Sequence, residues 1–250
     1  MNENNALHQA IVVVALGFLA LALAFSARAA LGLAMPIWES ELGWTRGNVS
    51  NVAAVALLVM AAISPVSGFI LDRKGLRFTL LFGLIAVFLS CVVISIAESV
   101  WVLLIGFGVI GGVGFGIIAT HVVASAVARV YPQKVGLASG IATSGSTAGQ
   151  FLIVPLIAFV FASFSWRWGF VGIAVGVACL IPFVGWVPSD KPAKVTNEAS
   201  AANDTTDFKS TIKTLLSTPV FHLLFWSYVI CGYTTTAFFY TNLLLNTESN

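Results

Sequence analysis

GFILDRKGLRF occupies positions 68–78, between two long apolar runs. It holds Asp72, Arg73, Lys74 and Arg77, with a glycine at 68 and another at 75. Gly75 permits the tight turn that reverses a chain between two spans. Gly68 is small enough for a neighbouring helix to approach closely. Asp72 closes the first run, where a carboxylate can cap the positive end of a neighbouring helix or pair with an arginine. The three basic residues hold the turn at one membrane face. The stretch therefore reads as a short basic hairpin between two antiparallel membrane helices.

The rest of the chain agrees. Of 250 residues, 58% are hydrophobic and 9% charged, whereas soluble domains carry about 25% charged residues. One bilayer crossing takes roughly 20 apolar residues, and such runs fall at 9–36, 48–71, 78–97, 101–128, 136–162, 168–187 and 219–245. The chain is expected to be an all-α, multi-pass membrane protein; a β-barrel would show short alternating strands. MNENNALHQA at the start has no Lys or Arg, and the run behind it outlasts a signal's apolar core, so it reads as an uncleaved first span. PSDKPAKVTNEASAANDTTDFKST, at 188–211, has little to bury and reads as a mobile linker. The expected division is 1–187 for six spans, 188–218 for a cytoplasmic linker, and 219–250 for a seventh helix with a short outer tail.

Charge placement sets the orientation. With the N-terminus in the cytoplasm, Arg73, Lys74, Arg77, Arg129, Lys134, Lys191, Lys194, Lys209 and Lys213 lie inside, against Arg46 and Arg167 outside. That is a positive-inside bias and points to the cell (inner) membrane. Arg28 belongs to neither set. Six of the seven tryptophans, Trp38, Trp44, Trp101, Trp166, Trp168 and Trp186, cluster at span ends, as an aromatic belt would. A net charge of +2 gives no basis for a nucleic-acid partner.

DRKGLRF (72–78) joins the second and third spans, and SWRWGF (165–170) joins the fifth and sixth. Three spans per unit would set the second copy upside down, a 3+3 inverted repeat of the kind found in transporters. The hairpin itself resembles the signature loop of the major facilitator superfamily, G-x-L-x-D-R-x-G-R-R. Gly68, Asp72, Arg73, Gly75 and Arg77 match it, and Leu76 stands where the family often has a basic residue. By that resemblance the loop steadies one conformational state. VYPQKVGLASGIATSGSTAGQFLIVP (130–155) is similar to the fourth-to-fifth span region of the monocarboxylate-porter and oxalate/formate-antiporter group. Gly136, Ala138, Gly140, Gly145, Gly149 and Pro155 fit, while Gln133 and Lys134 replace a common arginine pair. ELGWTRGNVS (41–50) and CGYTTT (231–236) also resemble that group.

The resemblance implies the N-terminal six-helix bundle of a major facilitator fold plus one further transmembrane helix. It also implies secondary transport of a small organic anion, a monocarboxylate or dicarboxylate, coupled to a proton or a counter-anion. The family has about twelve spans, so the chain is expected to be a truncated or partial transporter; a six-plus-one protein that dimerises is the alternative. A non-transporting membrane sensor or assembly factor, or a transporter of another small solute, also stays open, as does the oligomeric state.

Arg28 is the leading candidate for the substrate. It lies eight residues before Pro36, about 12 Å along a helix, within ALAFSARAALGLAMP (22–36). Its fork matches a carboxylate, and the spans contain no acid. Substrate contact, snorkelling to headgroups and pairing, with a span-end acid such as Glu39, Glu41 or Asp72 or with an acid outside these 250 residues, stay open. His121, in IIATHVVAS, has two open roles, a backbone hydrogen bond or a substrate or proton contact. Ser146, Gln150 and Tyr233 complete the substrate set, ahead of Ser144 and Tyr240. Gly108, Gly112 and Gly116 line one face of the fourth span, and Gly140, Ser144 and Ala148 one face of the fifth, as packing stripes. Cys91, Cys179 and Cys231 each sit alone and read as small buried hydrophobes. No Cys/His cluster suggests a metal, no phosphate-binding loop suggests a nucleotide, and no nucleophile–base pair suggests an enzyme. No cofactor is expected.

Overall fold

A computed structural model of the chain describes the backbone of residues 3–187, the side chains from residue 10 onward, and beyond them 217–219, 221–223, 225–227, 229, 230 and 234. Contacts divide the chain into two compact units, Met1–Ala193 and Lys194–Asn250. The described residues of both are helical, with no strand among them.

In the first unit, α1 runs over Glu3–Leu42. It passes through Pro36, where the sequence suggests an end, and stops at Gly43, whose φ of 66° turns the chain. Thr45 then caps the next helix by accepting from the Asn48 N–H. The helical stretch Arg46–Ser95 is two helices meeting at Gly75, α2 (46–74) and α3 (76–95). Gly75 adopts φ 80°, ψ 171°, a region open almost only to glycine. Thr79 Oγ1 donates to the Gly75 carbonyl at 2.9 Å and secures the turn. The chain reverses there: Ala56 and Met60, before the turn, and Val87, after it, all reach the same few residues of the fourth span.

That span, α4, covers Val100–Val130 and is not one regular helix. Leu104–Gly111 is a π-helix, and the chain leaves helical geometry at Ile118 (φ −86°, ψ 66°) and Ala119 (φ −106°, ψ 153°) before Thr120–Val130. The sequence predicts an uninterrupted helix here because no Pro marks the break and Gly116, just before it, reads as part of a packing stripe. Its cause is packing. Ile117 and Ile118 are both buried on Gly83, whose Cβ, if it had one, would stand 2.9 Å from the first and 2.6 Å from the second. Adjacent residues on a straight helix point 100° apart and would not share one hollow.

α5 is Val135–Ser163 and α6 is Trp166–Leu180. Close helix contact is made by glycine, as expected, but not wholly by the expected glycines. On α4, Gly108, Gly112 and Gly116 do press on α2, at the Val52, Ala56 and Met60 carbonyls. On α5, Gly140 meets nothing within 4 Å, and Ser144 is exposed. The backbone of α1 instead abuts Gly145 and Gly149, where an added Cβ would lie 2.2 Å from the Phe18 oxygen and 2.4 Å from Ala22. Gly68 likewise has open space where a Cβ would stand.

The aromatic belt also needs correction. Trp101, Trp168 and Trp186 are exposed, but Trp38, Trp44 and Trp166 are buried against one another and Phe170. Trp38 and Trp166 meet edge to face at 5.4 Å. Trp166 Nε1 donates to Glu41 at 3.1 Å, Arg46 to Glu39 at 2.8 Å, and Arg167 to the Ser95 carbonyl at 2.9 Å. Glu39 raises the Arg46 pKa by that hydrogen bond and its charge. Of the cysteines, Cys91 is buried and Cys179 is exposed; Cys231 lies outside the described residues.

In the second unit, Phe221 stacks on Phe225 at 5.9 Å and Thr234 Oγ1 donates to the Ile230 carbonyl. Most of the expected seventh span and the whole 188–211 linker fall outside the described residues.

Candidate substrate site

Between α1, α2, α4 and α5 lies a cavity of about 350 Å³. α1 contributes Phe25, Arg28, Ala29 and Leu31, α2 contributes Ala53, Ala56, Leu57 and Met60, α4 contributes Phe107 and Phe115, and α5 contributes Gln150. Arg28 is the one ionisable residue among its described lining residues. The tight crossing of Gly149 on Ala22 sets α5 against α1 next to Gln150. The π-helical stretch carries Phe107, and Phe115 follows one segment later. Their rings lie 5.5 Å apart, although eight residues advance about 12 Å along an α-helix.

The Arg28 guanidinium sits 5.1 Å from the centre of the Phe25 ring. A cation held over a ring face is attracted by the ring's electrons, and its N–H groups remain available to an anion. Among the described residues, no carboxylate or hydrogen-bond acceptor takes them up. Of the described acids at span ends, Glu39 is engaged with Arg46, Glu41 with Trp166 and Asp72 with Arg129, and Glu98 makes no ion pair with Arg28. Within the described unit, the pairing reading of Arg28 therefore has no partner. Arg28 also lines the cavity between helices.

The other expected substrate residues divide. Gln150 shares the cavity with Arg28. Ser146 does not line it; its hydroxyl donates to the Thr143 carbonyl of its own helix at 2.8 Å, the usual fate of a membrane-helix hydroxyl. Ser26, beside Arg28 in chain order, does the same with Ala22. His121 is exposed, just past the break in α4, with Nε2 3.4 Å from Ser64 Oγ on α2. Tyr233 lies outside the described residues. No group of three or more His, Cys, Asp or Glu gathers among the described residues.

At the Gly75 end, Asp72 accepts a hydrogen bond from Arg129, in the last turn of α4. Arg73 stacks over Phe69 at 4.3 Å, and Lys74 lies 5.8 Å from the Phe78 ring. Arg77 is exposed, near Gly185. Arg129 was visible in sequence only as one more basic residue; its place at a helix C-terminus, where a cation is favoured, was the available signal. Phe107 and Phe115 are cavity walls that the sequence does not single out. Their signal was that they are the aromatic side chains in the glycine-rich run LIGFGVIGGVGFGII, 104–118.

Comparison with known proteins places this geometry. The family model of the Major Facilitator Superfamily matches residues 17–249. The chain is 29% identical over 156 residues to monocarboxylate transporter 11 of Mus musculus, covering 62% of this chain and 35% of that protein. It is 30% identical over 138 residues to monocarboxylate transporter 14 of Homo sapiens, covering 55% and 27%. It is 29% identical over 147 residues to MFS-type transporter 1 of an Ophiocordyceps species, covering 58% and 32%. The chain thus spans about a third of the length of these relatives. A match over nearly the whole chain, joined to an all-helical unit with five segments apolar enough to cross a membrane, shows that this multi-pass membrane protein belongs to the Major Facilitator Superfamily.

Proposed function

We propose that the protein serves secondary transport of a small organic anion, with Arg28 receiving the carboxylate and Gln150 offering a second hydrogen bond. The observation that carries this reading is an arginine, stacked on Phe25 and lining a cavity, with no anionic partner among the described residues. A fixed charge in apolar surroundings is costly, and a carboxylate held by its planar fork offsets that cost. Similarity to proteins named monocarboxylate transporters supports the same substrate class. The N-terminus is placed in the cytoplasm and the protein in the inner membrane, on the charge bias described above. Coupling is to a proton or a counter-anion, and the Asp72–Arg129 pair steadies one conformational state.

Uptake of a labelled organic acid by proteoliposomes containing the full chain tests this reading. Flux that saturates and is lost in Arg28→Ala supports it. Arg28-dependent binding without flux points instead to a non-transporting sensor. Absence of both binding and flux rejects it.

A further inference from the structure

We propose that the lipid-facing corner between α3 and α6, at the Gly75 end, holds an anionic phospholipid. Its phosphate rests on Arg77 and Lys74, and one acyl chain lies along α3. The corner is fixed at both ends of the helix pair. Arg77 Nη2 lies 3.8 Å from where a Cβ on Gly185 would stand, in the turn Pro182–Trp186 that follows α6. At the opposite end Arg167, in the first turn of α6, donates to the carbonyl of Ser95, the last residue of α3.

The cations stand at the head of the corner. Lys74 Nζ is 5.8 Å from the centre of the Phe78 ring, Arg77 directly precedes Phe78, and both cations are exposed. Arg73, beside them, is held over Phe69 at 4.3 Å. Asp72, the acid of this turn, accepts from Arg129, so its charge is already offset. An anionic headgroup is drawn to such a basic cluster at the membrane surface. A zwitterionic headgroup would bring its own ammonium group up against the same cations.

Below the cations, α3 offers the acyl chain an apolar row. Phe78, Phe82, Ile85 and Leu89 are exposed, and steps of four, three and four residues set them on one face of the helix. The row spans about 16 Å at 1.5 Å per residue. That is about half of a hydrocarbon core of roughly 30 Å, the depth of one leaflet. Phe78 and Phe82 open the row with nearly parallel rings, 6.2 Å apart. Across the corner, Phe183 and Trp186 are exposed and meet edge to face at 5.5 Å; a tryptophan so placed settles at headgroup level. A free phosphate would make no use of the row, so an apolar face directly beside the cations favours a lipid.

Native mass spectrometry tests the site on the full chain, released from nanodiscs of equal parts phosphatidylglycerol and phosphatidylcholine. Phosphatidylglycerol should stay bound at least tenfold more than phosphatidylcholine. Arg77→Gln should lower that preference about fivefold, the fold-change equivalent to about 1 kcal/mol per basic residue at a membrane surface. Arg77→Lys keeps the charge and should lower it less. Lys74→Gln makes the same test without disturbing the contact at Gly185, and should also lower it. Lys134→Gln, in the turn ahead of α5, should leave it unchanged. The same preference in native protein, Arg77→Gln and Lys74→Gln overturns the site, as does an equal loss in Lys134→Gln, which would mean diffuse attraction by surface charge. Equal retention of the two lipids by the native protein overturns it too. Displacement of phosphatidylglycerol by inorganic phosphate alone would identify a free-anion site and overturn the lipid assignment.

Discussion

Arg28 concentrates the chemistry of the unit. Its charge is permanent and its fork is planar, so lysine is a poor substitute. Arg28→Lys should weaken carboxylate binding about tenfold or more in a titration, although the charge is kept. Gln150→Ala removes one neutral hydrogen bond, worth about 0.5–1.5 kcal/mol, and should cost roughly two- to tenfold in the same titration. A third residue makes a separate prediction. Trp38 is fully buried, and its Nε1 has no hydrogen-bond partner. Trp38→Phe keeps the aromatic packing and removes an unsatisfied donor, so the melting temperature should hold or rise. Trp38→Ala opens a cavity in the same cluster and should lose about 3–5 kcal/mol. At this scale the sequence shows which residues are out of place, because an arginine amid alanines is conspicuous. It does not show that Ser146 spends its hydroxyl on Thr143, or that His121 lies apart from the cavity, since both depend on helix rotation.

At the scale of elements, glycine position decides which helices touch. Gly149→Ala drives a methyl into the Ala22 backbone, and overpacking of that kind costs about 1–3 kcal/mol. Gly140→Ala enters open space within this unit and should stay within about 0.5 kcal/mol; chemical denaturation of the two variants in one detergent compares them. Gly75→Ala forces a Cβ into a backbone region reserved for glycine, a cost of about 1–3 kcal/mol, and should lower the melting temperature while leaving the far end of the unit intact. The Asp72–Arg129 pair is partly exposed, with side-chain exposures of 62% and 36%. Breaking it with Asp72→Asn should cost less than about 1 kcal/mol. A large loss of transport with that small loss of stability would mark the pair as conformational.

Apolar length makes the existence of the helices legible but not every end, since α1 runs on through Pro36 to Leu42. The turn at Gly75 was legible because charge and glycine coincide there. The break at Ile118 was not, because its cause is a hollow at Gly83, a residue 35 positions away in a different helix. The contact face of the fifth span is hidden for a related reason. GLASGIATSGSTAGQ offers small residues on several faces, and only the partner helix selects Gly145 and Gly149.

Across the whole described unit, membrane character, the all-α class and the family follow from composition and one hairpin. The cavity does not, since its walls come from four helices and its aromatic members are ordinary core residues in sequence. Arg28 unites the two levels, being both the sequence anomaly and the polar centre of that cavity. Isotope-edited infrared difference spectroscopy of ¹³C-carboxylate phenylacetate and pyruvate, bound to the full chain in nanodiscs, measures that claim directly. The account predicts a shifted carboxylate stretch with at least one of the two acids in the native protein, absent in Arg28→Ala and altered in Arg28→Lys. The same shifted band in native protein and Arg28→Ala, or no shift with either acid, would contradict it.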